Sequence, residues 1–290
     1  RATMDGSSKI YSGESDLLIV GGQESMSRAR HAYLSRTSEK KLGNNIFIDT
    51  LVNDGLTDAF SKEHMGITAE NVSRRYTITR QDQDQFAYQS YLKTYKAIKN
   101  NYYKNELTKS SYKDEVRKDT TLVKLSQLKA AFKKSGTVTA GNASSLNDGA
   151  SFLALASEKY IKSNKIRPIA KILSWASSAG NPDYMGVTPI TAIQKLMKKM
   201  GVNIGYFDLV EINEAFAATS VAVQRSLKID PNKLNIAGGA IALGHPIGCS
   251  GARIVTTLAH QLRRTKQKVG VASMCIGGGQ GLAIAIEKLN

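Results

Sequence analysis

Cysteine is almost missing from this sequence: Cys249 and Cys275 are the two thiols in 290 residues. Such a pair cannot frame a disulfide-stapled fold and has no metal-ligand spacing around it. That excludes a small secreted scaffold, argues against a zinc site and suits a reducing cytoplasm. No apolar run is long enough to cross a bilayer, so no membrane partner is expected. Acidic residues are short as well, 24 Asp and Glu against 40 Lys and Arg, for a net charge of +16. Half of that excess falls between Lys93 and Lys134, where twelve basic residues stand with four acidic ones. A Lys-rich stretch is ordinarily a solvated face; the alternative is an anion-binding surface for nucleic acid or for a phosphate-bearing small molecule. Residue 1 is Arg rather than Met, so the true N-terminus is expected to lie upstream, and nothing follows about a targeting segment. What remains is an ordinary globular composition, 41% hydrophobic and 22% charged, in a chain long enough to bury a large core.

Residues 1–12 read as the end of a helix stopped at Gly13, followed by a short apolar strand, Asp16–Val20, that runs into Gly21-Gly22. From Arg28 to Gly141 the pattern is polar and irregular apart from one clear helix. Thr79 is its N-cap, Asp82 sits in its first turn, and Phe86, Tyr91 and Tyr95 supply apolar positions. Ala150–Ala156 is a small apolar unit, and Pro168 opens a strand over Ile169–Trp175. The last third alternates. A helix over Ile190–Met200 is followed by a strand over Phe207–Ile212, a helix begun by Asn213 and ended near Leu227, and a strand over Lys233–Ala237. A helix over Ser250–Arg264 and a strand over Val269–Cys275 complete it. Strands alternating with helices predict an α/β fold with a mostly parallel sheet covered on both faces. The order helix, apolar strand, Gly-Gly occurs at residues 1–22 and again at 250–278, a faint internal echo.

Three segments of the last third place chemistry at strand ends: Glu211-Ile-Asn213-Glu-Ala-Phe216, Gly244-His245-Pro-Ile-Gly248 and Met274-Cys275-Ile-Gly-Gly-Gly279. Strand ends in such sheets face a common crevice, so Asn213, His245 and Cys275 are expected to converge. Singly each has a plain reading: Asn213 as a helix N-cap, Cys275 as a small buried hydrophobe, His245 as a structural side chain in a Gly/Pro turn. Neither glycine run is a P-loop or a dinucleotide fingerprint. Jointly, a thiol near an imidazole can exchange protons, and backbone N–H groups of a Gly-rich turn can form an oxyanion hole.

At these residues the sequence resembles the thiolase family. The matching segments, in family order, are GGQESMS at 21–27, HMGITAEN at 64–71, GTVTAGNAS at 136–144, NEAF at 213–216, GGAIALGHPIG at 238–248 and CIGGG at 275–279. The His64-Met65 pair is similar to the short-chain acetyl-CoA acetyltransferase branch, and the ending looks bacterial. The resemblance implies two duplicated mixed-sheet halves in a layered αβαβα arrangement with an inserted loop domain. It divides the chain into residues 1–26, a remnant of the N-terminal half; 27–146, a CoA-covering loop domain; 147–167, a return to the N-terminal half; and 168–290, the C-terminal half.

It further implies acetyl-CoA C-acetyltransfer, the reversible condensation of two acetyl-CoA to acetoacetyl-CoA and CoA through an acyl-cysteine. The nucleophile would sit upstream of Arg1, since Cys249 lies in the His245 turn and is no substitute. His245 would activate that cysteine and, with a water held by Asn213, form one oxyanion hole. Cys275 would be the general base, and the Gly277 N–H part of a second oxyanion hole. His64, Met65, Leu56, Phe132, Ala140, Ser144, Met185, Ala215 and Phe216 would line the CoA tunnel; Leu56 and Phe132 fit plain core packing almost as well. CoA and acetyl-CoA act as substrates, with no permanently bound cofactor, and the basic stretch becomes a CoA-facing surface rather than a nucleic-acid site. Relatives are commonly homotetramers or homodimers. Around Leu107–Thr121 the family usually has a longer strand-rich excursion, and Lys109–Lys113 joins abruptly. The alternatives are a 3-ketoacyl-CoA thiolase of longer-chain preference and a non-catalytic thiolase-like scaffold; a nucleic-acid-binding protein would show steeply salt-dependent binding.

Overall fold

The computed structural model describes residues 1–33, 42–108 and 115–289; the abrupt Lys109–Lys113 junction therefore lies outside the described residues. The chain opens with helix α1 (Ala2–Tyr11) and strand β1 (Leu17–Glu24), as the pattern predicts. Then come the two-residue strands β2 (His31–Ala32) and β3 (Ile48–Asp49), and helices α2 (Met65–Arg75), α3 (Arg80–Lys99) and α4 (Leu122–Ser126). Strand β4 (Gly149–Ala156) returns to pair with β1, followed by α5 (Glu158–Ser163), β5 (Ala170–Ala179) and α6 (Thr188–Met200). The last third holds β6 (Leu209–Ile212), α7 (Ala217–Leu227), α8 (Ala240–Leu243), α9 (Ile247–Thr265), β7 (Val269–Ile276) and β8 (Gln280–Lys288). Thr79 caps α3 as predicted, in a reciprocal capping box with Asp82.

The sheets are mixed. Strands β5, β8, β7 and β6 lie side by side in that order; β5–β8 and β8–β7 are antiparallel and only β7–β6 is parallel. The expectation of a mostly parallel sheet is thus corrected: β8, a strand the alternation did not show, inserts antiparallel between β5 and β7. The expected strand at Lys233–Ala237 reduces to one bridge, Val210 to Leu234. Asn235 takes φ +44° and its side chain bonds Ile212 N and O at 2.8 and 2.9 Å, doing the work of a ladder.

Burial arranges these elements in layers. One face of the four-stranded sheet packs Val210, Ile212, Val271 and Ala285 against Ile193 and Leu196 of α6 and Val223 of α7. The other face packs Leu209, Ala272, Leu282 and Ile284 against Ile254, Leu258 and Leu262 of α9, with Met4 of α1 joining. Behind α1 and α9 stands the two-stranded β1–β4 sheet. The order sheet, helices, sheet, helices follows, and the central strands read as unbroken apolar runs because both faces are covered. The internal echo has a spatial counterpart: α1 leads to β1 with antiparallel partner β4, and α9 leads to β7 with antiparallel partner β8. Where α9 begins, its backbone meets β1: a Cβ on Gly22 would lie 2.0 Å from the Gly248 carbonyl oxygen.

Candidate active site

Three chain segments bring the reactive groups together. Asn213 leaves the end of β6, where its N–H donates to the Ser273 carbonyl of β7 at 3.0 Å. It is not a helix cap, because α7 begins at Ala217. Residues 214–216 stay outside the helix instead, tied to residues 142–144: Ser144 N–H donates to Ala215 O at 3.0 Å and Ala217 N–H to Asn142 O at 2.8 Å, around the Ala143–Phe216 bridge. The same stretch holds the third segment, since His245 N–H donates to Ser145 O at 3.0 Å. The buried Glu214 carboxylate ties the loops from beneath. It accepts from Ser90 Oγ at 2.6 Å, Asn235 Nδ2 at 2.8 Å and Ile241 N at 3.2 Å.

His245 is clamped on both nitrogens. Its Nδ1 lies 2.6 Å from Ser250 Oγ, and Ser250 donates to the Pro246 carbonyl at 2.8 Å. The Ser250 proton being so engaged, Nδ1–H is the donor and Nε2 carries the lone pair; Asn213 Nδ2 donates to it at 3.2 Å. Burial, helped by the Arg253 charge, pulls His245 down to about 4, so the ring is neutral near pH 7. Cys275 is buried in β7, and that burial pushes its thiol up to about 11. At rest both groups are uncharged.

His245 and Cys275 line one cavity of about 580 Å³. Every other residue named from the sequence lines it too, namely Leu56, His64, Met65, Phe132, Ala140, Ser144, Met185, Ala215, Phe216 and Gly277; Asn213 stands behind His245 instead. Leu56 and Phe132 stand on this wall, and Phe132 packs against the buried apolar cluster as well. His64 caps α2 by accepting from Gly66 N at 3.0 Å through Nδ1, leaving Nε2–H as its donor, and its ring stacks on Phe132 at 4.7 Å. Phe132 in turn meets Phe216 edge-on at 6.1 Å. Met65, Met185 and Phe216 pack in one apolar cluster with Cys275. Of the basic stretch, Arg117 reaches the cavity wall. Lys93 turns inward, to the carbonyls of Pro231 and Leu234 at 3.2 and 2.8 Å.

Sequence reasoning missed Ser250 as the partner that sets the His245 tautomer, although a hydroxyl five residues past a histidine at a helix start was a readable signal. It also missed Met26, Arg117 and the opening residues Arg1–Thr3 as wall residues, which the topology alone brings there.

The geometry has counterparts in known proteins. The profile "Thiolase, N-terminal domain" matches residues 1–159 and "Thiolase, C-terminal domain" residues 166–288. A probable acetyl-CoA acyltransferase of Staphylococcus aureus is 44% identical over 291 residues, covering 96% of this chain and 74% of that protein. The crystal structure of Bacillus anthracis acetyl-CoA acetyltransferase superposes with a TM-score of 0.94 at 40% identity, covering 99% of this chain and 76% of that one. Human mitochondrial 3-ketoacyl-CoA thiolase in complex with CoA superposes with a TM-score of 0.96 at 40% identity, covering 100% and 75%. Two adjoining profile matches that together span nearly the whole chain, and relatives matched along three quarters of their own length, agree with the cavity and its motifs: the chain belongs to the thiolase family.

Proposed function

We propose that this protein is an acetyl-CoA C-acetyltransferase, joining two acetyl-CoA into acetoacetyl-CoA and CoA, and reversing that reaction, through an acyl-cysteine. The observation that carries the reading is the meeting of a neutral imidazole and a neutral thiol, His245 and Cys275, on one cavity wall. Arg1, Ala2 and Thr3 line the same cavity, so a cysteine upstream of Arg1 lies within reach in this reading. Cys249, buried and absent from the cavity wall, is not a candidate.

The protons balance without any outside base. The upstream cysteine attacks the first thioester and gives its proton to His245 Nε2, the nitrogen that the Ser250 bond leaves unprotonated, and the Asn213 amide yields its bond to that lone pair. The departing CoA thiolate takes the proton of Cys275. The imidazolium and the Cys275 thiolate so formed are the working pair: the thiolate removes an α-proton from the second acetyl-CoA, and the new Nε2–H, beside Asn213, stabilises the enolate oxygen. The enolate carbon attacks the acyl-enzyme, the cysteine thiolate leaves and recovers its proton from His245, and Cys275 stays a thiol. Gly277 N–H, at the mouth of the turn after β7, serves the thioester oxygen.

The supporting features follow the same logic. The methionines and Phe216 crowded against Cys275 leave an acyl end suited to acetyl. His64, Phe132, Ala140, Ser144, Leu56 and Ala215 line the pantetheine path, and Arg117 meets the phosphates. Residues 27–146 form the CoA-covering domain between the parts of the N-terminal half (1–26 and 147–167), and residues 168–290 the C-terminal half. A homotetrameric or homodimeric cytoplasmic enzyme without a permanent cofactor completes the reading. The test is thiolysis of acetoacetyl-CoA and of a long-chain 3-ketoacyl-CoA by the full-length protein. Preference for acetoacetyl-CoA supports the proposal, preference for the long chain replaces it with a 3-ketoacyl-CoA thiolase, and turnover of neither leaves a scaffold.

A further inference from the structure

His245 is gripped by two elements, α9 through Ser250 and the end of β6 through Asn213. One step back along each element stands one member of a buried ion pair. Arg253 follows Ser250 by three residues on α9 and so shares its face. Glu211 precedes Asn213 by two on extended chain and so shares its side. The packing agrees: Leu209, on the Glu211 side of β6, packs with Ile254 and Leu258 of α9, whereas Val210 and Ile212 enter the opposite core.

Arg253 Nη1 stands 3.9 Å from Glu211 Oε2, with side chains 20% and 2% exposed. Neither Arg253 Nη nitrogen nor Glu211 Oε2 has a hydrogen-bond partner among the described residues. The contact is therefore an ion pair bridging two elements, not a local hydrogen bond. A guanidinium keeps its charge, so burying it requires a carboxylate nearby. Burial raises Glu211 and the neighbouring Glu106, and the Arg253 charge draws both back toward the carboxylate. Buried ion pairs add little net stability over apolar side chains of like volume. This one joins the two elements, α9 and β6, that make the His245 clamp.

We propose that the Arg253–Glu211 pair is a strut holding α9 and β6 at the spacing that keeps Asn213 and Ser250 on the His245 ring. Both are thus positioning residues for the reaction. The inference rests on the acetyltransferase reading, in which His245 must receive and return a proton at Nε2.

The test measures kcat and KM for acetoacetyl-CoA thiolysis by the full-length protein carrying E211Q, R253M, E211Q/R253M or R253K, with Tm for each. E211Q and R253M should each lower kcat about tenfold or more through misplacement of the imidazole, with KM within about twofold. The double variant should lose no more than the worse single, because both break one contact. R253K, which keeps the charge, should recover part of the loss. E211Q is nearly isosteric and decides the matter if R253M does not fold. A folded E211Q with the parent's kcat overturns the strut, as do multiplying losses in the double variant. A parent that turns over no thioester overturns the acetyltransferase reading itself, whereas an active parent with indifferent variants overturns only the strut.

Discussion

The two antiparallel pairs, β7–β8 and β1–β4, are built alike and closed differently. Each follows a central helix, α9 or α1, and each packs on it. Strands β7 and β8 are joined by the turn Gly277–Gly279, with φ of +77° at Gly278 and +84° at Gly279. Strands β1 and β4 are joined by everything from residue 25 to 148. The short closure leaves Cys275 at the paired end of β7 and Gly277 in the turn. The long one lays His64, Phe132 and Ser144 over the same cavity. In the proposed mechanism, one frame used twice separates two tasks: the α-proton transfer of Cys275 belongs to the tight side, and much of the substrate lining to the wide side.

If that division holds, damage to the frame side should fall on kcat and damage to the wide side on KM. The largest effect is expected from His245→Ala, which under the proposed mechanism removes both the first proton acceptor and the enolate's donor. Thiolysis should fall by about a hundredfold or more, with Tm little changed, as steady-state kinetics beside a thermal melt would show. Gly279→Ala strikes the closure itself. Its Cβ would sit 2.3 Å from the Gly180 carbonyl oxygen at a left-handed φ, so denaturant unfolding should show a loss of about 2 kcal/mol. Gly66→Ala strikes the wide side: the new Cβ would lie 2.2 Å from the Phe132 ring and push it off His64. KM for acetoacetyl-CoA should rise about tenfold while kcat moves less. A fall in kcat alone would erase the comparison.

A further effect is one of linkage. His245 binds its proton less readily folded, with its value lowered from 6.5 to about 4. The unfolded chain therefore takes up the proton first as pH falls, and stability drops between those two values. Comparing denaturant midpoints of the parent and His245→Asn from pH 7 to pH 4 should show the parent losing ground by up to about 1.4 kcal/mol per pH unit. A constant difference would mean the ring is not buried as described.

Much of this was legible in the sequence, for physical reasons that differ by element. Helix α3 announced itself because Thr79 and Asp82 make a conventional cap. Helix α2 did not, because its N-cap is an imidazole, His64, a residue type seldom read as one. Strand β8 was hidden by its own burial, since a strand covered on both faces has no alternation to read. Cys275, His245 and Asn213 were visible as strand-end chemistry, but Asn213's local role was misjudged. Its partner His245 is 32 residues away, and no local pattern distinguishes that bond from a cap. The Arg253–Glu211 pair was silent for the same reason.

The most direct test of the central claim, that Cys275 is the group that moves the α-proton, is methyl-proton exchange. Full-length protein carrying Cys275→Ala is incubated with acetyl-CoA in D2O, and deuterium in the acetyl methyl and acetylation of the protein are both followed by mass spectrometry. The parent should exchange the methyl protons, while the variant should still become acetylated, if more slowly, but exchange at the background rate. Exchange at the parent's rate in the acetylated variant would contradict that claim.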